Sequence, residues 1–111
     1  MDDKRAGELL AAERLRVEEL LQEAIEAAGQ DRVAANESGD IADPAERLTA
    51  EQVDDAVIAA LRERLETIGR AEGRLREGTF GRSIRTGLKI PDDRLEADPA
   101  AELTVEEAAQ G

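Results

Sequence analysis

Between Pro44 and Glu77 the apolar residues return at intervals of three and four: Val53, Val57, Leu61, Leu65, Ile68, Ala71 and Leu75. That interval gathers them on one face of an α-helix, where a strand would put alternate residues on opposite faces. A second series runs from the N-terminal side: Ala6, Leu10, Val17, Leu20 or Leu21, Ala24 and Ala27 or Ala28, at three, four or seven. It has the spacing of a coiled-coil stripe. Glu8, Glu13, Arg14, Arg16, Glu18, Glu19 and Glu23 fill the other faces. A chain with two such stripes is predicted to be all-α and to bury one stripe against the other.

The boundaries of the two helices can be read from their ends. Asp2 and Asp3 suit a cap and a first turn. Gly29 reads either as a left-handed cap or as an interior glycine that weakens the helix by about 1 kcal/mol against Ala. Asn36-Glu37-Ser38-Gly39 is a run of turn formers, so the chain reverses there. Asp43, Pro44 and Glu46 make a capping box with proline at the first helical position, where its missing N–H costs nothing. Thr49-Ala50-Glu51-Gln52 is a competing, later start. Gly69 and Gly73 weaken the second helix near its end, and Gly78 closes it. From Pro44 to Glu77 is about 34 residues, roughly 50 Å of helix. An antiparallel partner of equal length runs from near Lys4 to about Asn36, which favours the interior reading of Gly29. The expectation is a long antiparallel helical hairpin, a coiled coil, over residues 1–77, with a tip at 36–45.

Charge and composition narrow the function. The formal net charge is −12, 38% of residues are charged, and Phe80 is the one aromatic residue. A chain of that charge repels nucleic-acid phosphates and anionic membranes, so direct DNA binding and membrane association are not expected. Periodic apolar residues argue against disorder, which the charge alone would suggest. There is no cysteine and no histidine, hence no disulfide framework and no thiolate metal site, as suits a reducing compartment. With no apolar run long enough for a signal peptide or membrane span, a cytoplasmic protein is expected. Ser83 has no base beside it in sequence, so nucleophilic catalysis is not expected and the chain reads as a non-enzyme. Asp92, Asp93, Glu96 and Asp98 lack the glycine and ligand spacing of a calcium loop.

After Gly78 the pattern changes. Gly78-Thr79-Phe80-Gly81, Gly87, Pro91 and Pro99 break any long helix. Pro91–Glu96 reads as a short helix with proline in its first turn, and Thr104-Val105-Glu106-Glu107 as a capping box opening a last helical turn. The terminal Ala-Ala-Gln-Gly is expected to fray. Residues 78–111 therefore form a small C-terminal module of loops and short helices. Its apolar cluster, Phe80, Ile84, Leu88, Ile90, Leu95, Leu103 and Val105, is small, and a module of this size ordinarily needs a metal, a disulfide or a docking surface.

Two carboxylates stand out at the reversal, in Asp40-Ile41-Ala42-Asp43-Pro44-Ala45. Taken locally, Asp43 is an N-cap and Asp40 a turn residue. Together with Gly78-Thr79-Phe80-Gly81, Gly87, Ile90 and Arg94-Leu95-Glu96-Ala97-x-Pro99, the Asp40-x-x-Asp43-x-Ala45 pattern resembles the DksA/TraR family of RNA-polymerase-binding transcription regulators. The resemblance covers about residues 35–107 by motif and the first helix by pattern only.

The resemblance implies a hairpin whose acidic tip, carried here by Asp40, Asp43 and Ala45, enters the secondary channel of RNA polymerase to modulate initiation. It also implies a monomer with RNA polymerase as its partner. The family's C-terminal module carries a four-cysteine zinc site, and those positions fall here on Ser83, Thr86, Thr104 and Glu107. This set does not make a tetrahedral zinc site, so the module is expected to be a degenerate zinc finger with no metal or other cofactor, its apolar cluster packing around Phe80 instead. Basic positions that some members use for the nucleotide ppGpp fall on Ala60 and Thr67, so dependence on it is not expected. A different class of reading is a coiled-coil adaptor or self-associating structural protein, its stripes pairing between chains and its tip only a turn. A third is a divergent homologue whose channel function is lost or redirected. Arg62, Arg64, Arg70, Arg74 and Arg76 interleave with Glu63, Glu66, Glu72 and Glu77 and read as a solvated, salt-bridged face.

Overall fold

The structure of the chain, a computed structural model, describes the backbone of residues 1–37 and 44–111, and side chains at 1–30, 33 and 50–111. Among the described residues four helices follow one another: α1 (Asp3–Glu37), α2 (Pro44–Glu77), α3 (Asp92–Ala97) and α4 (Val105–Gln110). The two long ones form a hairpin. Among the described residues there is no strand, only one isolated antiparallel bridge between Arg82 and Lys89. No helix among them is long and apolar enough to cross a membrane.

The start of α1 and the end of α2 form for the reasons the sequence suggests, whereas Pro91 is the N-cap of α3, ahead of its first turn, and α4 runs on to Gln110 where fraying was expected. The Asp2 carboxylate accepts from the Arg5 N–H at 2.7 Å and caps α1. Helix α1 continues through Gly29 and takes in Asn36 and Glu37, two of the four residues expected to form the turn. Helix α2 starts at Pro44, the earlier of the two possible starts. It stops at Gly78, whose φ of +83 lies in the left-handed region. The Thr79 N–H bonds to the Arg74 carbonyl at 2.9 Å and the Gly78 N–H to that of Leu75 at 3.4 Å. This pair of bonds satisfies carbonyls that the ending helix leaves over. The Asp43–Glu46 capping box lies outside the described residues.

Residues 1–15 and 65–111 form one compact unit, and residues 16–64 another. In the first, Ala6 and Leu10 of α1, Ile68 and Ala71 of α2, and Ile90, Leu95, Ala100 and Ala101 of the C-terminal segment are buried. A β-carbon added at Gly7 would meet Leu75 at 3.8 Å, and one at Gly69 would meet Arg14 at 3.8 Å. These contacts pair the start of α1 with the end of α2, an antiparallel register. Arg14 also forks onto Glu72, Nε donating to Oε2 at 3.1 Å while the second bond goes to Oε1.

In the second unit Val17 and Ala28 are buried, with Leu21, Ala24, Ile58 and Leu61 half-buried. The stripe of α1 thus takes Leu21 over Leu20, and Ala28 over Ala27. The stripe of α2 departs from expectation: Val53 and Val57 are 55% and 44% exposed, and Ile58 stands in the stripe. Four residues advance a helix by about 400°, a drift of about 40° per step. The run 53, 57, 61, 65 therefore rotates steadily off the buried face. The run 58, 61, 65, 68 alternates three and four and stays on it.

The apolar cluster expected in the C-terminal module forms only in part. Ile90 and Leu95 are buried, and Phe80 and Leu103 are half-buried. Ile84, Leu88 and Val105 are 58%, 59% and 57% exposed. Ile84 and Val105 each follow a buried polar residue, Ser83 and Thr104 respectively. This end of the module has a polar interior, and that is why its aliphatic side chains point out.

Candidate functional site

Two groups of residues were singled out by sequence. Asp40 and Asp43 lie outside the described residues. Ala45 lies in the first turn of α2, and its side chain is outside them too. The other group, Ser83, Thr86, Thr104 and Glu107, is brought together.

The segment from Gly81 to Ile90 folds back on itself. Ile90 donates its N–H to the Gly81 carbonyl at 2.8 Å, and Ser83 donates to that of Leu88 at 2.8 Å. Gly87, at φ +77, takes the left-handed position that the reversal requires. The turn is held by its own hydroxyls. Ser83 Oγ accepts from the amides of Arg85 at 3.1 Å and Thr86 at 3.3 Å, and Thr86 Oγ1 accepts from the Leu88 amide at 3.3 Å. A hydroxyl has two lone pairs and one proton. With both lone pairs of Ser83 engaged, its proton goes to the one acceptor left in reach, Glu107 Oε2, at 2.9 Å. Thr86 donates to the same oxygen at 2.9 Å.

Helix α4 supplies the other half. Thr104 is its N-cap, with Oγ1 accepting from the Glu107 N–H at 3.2 Å, while the Thr104 N–H donates to Glu107 Oε1 at 3.1 Å. This capping box was legible, but its Glu107 does more than close the box. The carboxylate is buried, 6% exposed, and accepts from three donors. Burial alone pushes the Glu107 carboxyl up. The bonds from the Thr104 amide and the Ser83 and Thr86 hydroxyls outweigh it and bring the pKa down to about 2. Arg85 adds a bond from Nη1 to the Glu107 carbonyl at 3.4 Å.

The family resemblance implies zinc at these four positions, and the residues present do not fit it. Three of the side chains are hydroxyls, only one is a carboxylate, and every one of them is committed to a hydrogen bond within the cluster. Nor do the described residues hold any group of three or more His, Cys, Asp or Glu side chains placed to bind a metal ion. The cluster is equally unsuited to catalysis by Ser83. A carboxyl with a pKa of about 2 is too weak a base to activate a hydroxyl.

The strand of chain leading into α4 is pinned by cations. Glu102 receives Arg70 Nε at 3.1 Å and lies 3.6 Å from Arg74 Nη1. Arg94 Nε donates to the Leu103 carbonyl at 2.9 Å. Burial lowers the Arg74 pKa while Glu102 acts in the opposite direction. Arg5 forks onto Glu96 of α3 at 3.0 and 2.7 Å. Part of the face read from sequence as solvated therefore holds α2 to the C-terminal segment. Nothing in the spacing of Arg70, Arg74 and Glu102 signals this, because the partners are about thirty residues apart in sequence.

A hairpin of two long helices followed by a small module of turns and short helices defines a DksA-like fold. In structure the chain is similar to the transcription factor DksA2 from Pseudomonas aeruginosa. That likeness has a TM-score of 0.79 at 26% sequence identity, over 97% of this chain and 81% of the other. In sequence it is similar to General stress protein 16O of Bacillus subtilis (strain 168), with 41% identity over 69 residues, 62% of this chain. The chain spans 42% of the length of that relative. No profile of a known protein family matches it.

Proposed function

We propose that the chain is a non-enzymatic transcription regulator that binds RNA polymerase and places its acidic tip in the secondary channel. The observation that carries this reading is the structural likeness to a transcription factor over 97% of the chain. It is joined by the Asp40-x-x-Asp43-x-Ala45 pattern, whose two aspartates fall in sequence between helices of 35 and 34 residues and whose Ala45 lies in the first turn of the second.

In this reading residues 1–77 are the delivering hairpin and residues 78–111 a module lacking zinc ligands. A helix of that length extends roughly 50 Å, enough to reach a recessed site without a large globular head. Two carboxylates at the end of it can bond basic side chains or disturb the hydration of a Mg²⁺ ion. Regulation follows if the tip binds one polymerase conformation better than another, since only differential affinity shifts an equilibrium. Ala45 offers a small surface for close approach. The charge of −12 favours a positively charged rim and disfavours DNA.

The test is a pull-down on the RNA polymerase of the same cell, paired with transcription in vitro, using Asp40→Asn/Asp43→Asn. Docking is expected to survive while the effect on transcription is lost. Intact regulation by the double variant would sink the tip mechanism. The exposed Val53 and Val57 favour a second reading, an adaptor in which the helices pair between chains. A monomeric mass in solution counts against it.

A further inference from the structure

The module that follows Gly78 has an unusual centre. Its large buried apolar side chains are Ile90 and Leu95, beside the small Ala100 and Ala101, and three of its aliphatic side chains face outwards. Its two halves, the turn at 83–88 and the segment that enters α4, meet in a backbone bond from the Ile84 N–H to the Glu102 carbonyl at 2.9 Å, a bond from Arg85 to the Glu107 carbonyl at 3.4 Å, and one shared side chain, that of Glu107. Ser83 and Thr86 reach Glu107 Oε2 at 2.9 Å each from the turn, and Thr104 reaches Oε1 at 3.1 Å from the start of α4. Ser83 and Thr86, three residues apart, bring two hydroxyls from one turn to that carboxylate, and Thr104, three residues before Glu107, brings its amide.

We propose that the Glu107 carboxylate is the cross-link that closes the C-terminal module, an internal anion standing where the family resemblance puts a metal cation.

The polarity of every bond supports this. A cation at the centre needs side chains that give electron pairs. Here the surrounding groups give protons instead: two hydroxyls and one amide, with the Ser83 hydroxyl fixed as a donor because both of its lone pairs are engaged by Arg85 and Thr86. The centre must therefore be an acceptor on both oxygens, which a carboxylate is and a carboxamide is not. The charged groups around it are Arg85 on the turn, bonded to the Glu107 carbonyl, Glu106 beside it on α4, and Glu102 upstream, which is occupied by Arg70 and Arg74. No buried polar side-chain atom among the described residues lacks a partner, so the network is closed as it stands. Closure of this kind responds neither to chelators nor to thiol oxidants.

The experiment is amide hydrogen exchange by NMR on the full chain at neutral pH, for the natural sequence and for Glu107→Gln. Gln keeps the shape and removes one acceptor. Exchange at Arg85, Thr86, Leu88 and Thr104 is expected to quicken by about tenfold or more, with the buried amides of α1 and α2 near Leu10 and Ile68 unchanged. Unchanged exchange at all four sites overturns the proposal. If Glu107→Gln unfolds the chain, Thr86→Val serves in its place. It removes one donor to Glu107 and, with it, the acceptor of the Leu88 amide, so the readout is Thr104: faster exchange there supports the proposal and unaltered exchange there overturns it. Excess EDTA added to the natural sequence is expected to change nothing. Loss of protection over residues 83–88 on chelation would show that a metal closes the module, and would overturn the proposal. None of these outcomes depends on binding to polymerase.

Discussion

The Ser83 hydroxyl donates to the Glu107 carboxylate at 2.9 Å across 24 residues of chain. Because Glu107 is held charged inside the module, its stability depends on pH in a definite direction. The folded-state pKa is about 2, below the unfolded value of about 4.3. A depressed carboxyl contributes stability that is present above the unfolded pKa and is lost as pH falls through the folded one. The thermal midpoint of the natural sequence is therefore expected to exceed that of Glu107→Gln at neutral pH, with the gap narrowing between about pH 4.5 and 2. Glu72, held low by its bond from Arg14, and Glu96, held low by its bond from Arg5, titrate the same way in both proteins and so cancel in the difference. A gap independent of pH would mean that Glu107 acts through shape and not charge.

Two glycines are expected to answer alanine with opposite signs. At Gly29, inside α1, an added β-carbon meets nothing within 4 Å, so Gly29→Ala should stabilise the chain by about 1 kcal/mol through helix propensity. At Gly78 the φ of +83 is one that alanine adopts only with strain, so Gly78→Ala should cost about 1 kcal/mol or more. Urea denaturation of the two variants checks both, and a shared sign would contradict the assigned end of α2.

The register of α2 gives a third prediction. Ile58 is half-buried and the adjacent Val57 is exposed. Ile58→Ala should lower stability by about 1–2 kcal/mol, less than the 2–5 of a fully buried site, while Val57→Ala stays within about 0.5. Ile68, 0% exposed, should show the full cost. Equal effects at 57 and 58 would restore the stripe as the spacing of valines suggested it.

Much of the fold was legible because helix signals are local. Helix α2 starts at Pro44, and Gly78 marks its end and the Thr104–Glu107 box the start of α4 through contacts within a few residues. The face of α2 was misread at Val53 and Val57 because a run of fours resembles a stripe until its drift is summed. The polar interior of the C-terminal module was not legible. Hydropathy favours burying Ile84, Leu88 and Val105, and only the folded turn shows that Ser83, Thr86 and Thr104 take the inside because they share one carboxylate. Family resemblance located those four positions without telling what would join them. The ties from Arg70 and Arg74 to Glu102 depend on tertiary placement and leave no periodic trace.

The most direct measurement is binding of the purified full chain to the RNA polymerase of the same cell, followed by transcription from a responsive promoter with Asp40→Asn. Asp40 is the cleaner probe, since the sequence before Pro44 gives Asp43 a second reading as an N-cap. The expected result is a saturable complex for both proteins, with the transcriptional effect present for the natural sequence and lost for the variant. Absence of any complex between the natural chain and its cognate polymerase would contradict the proposed function outright.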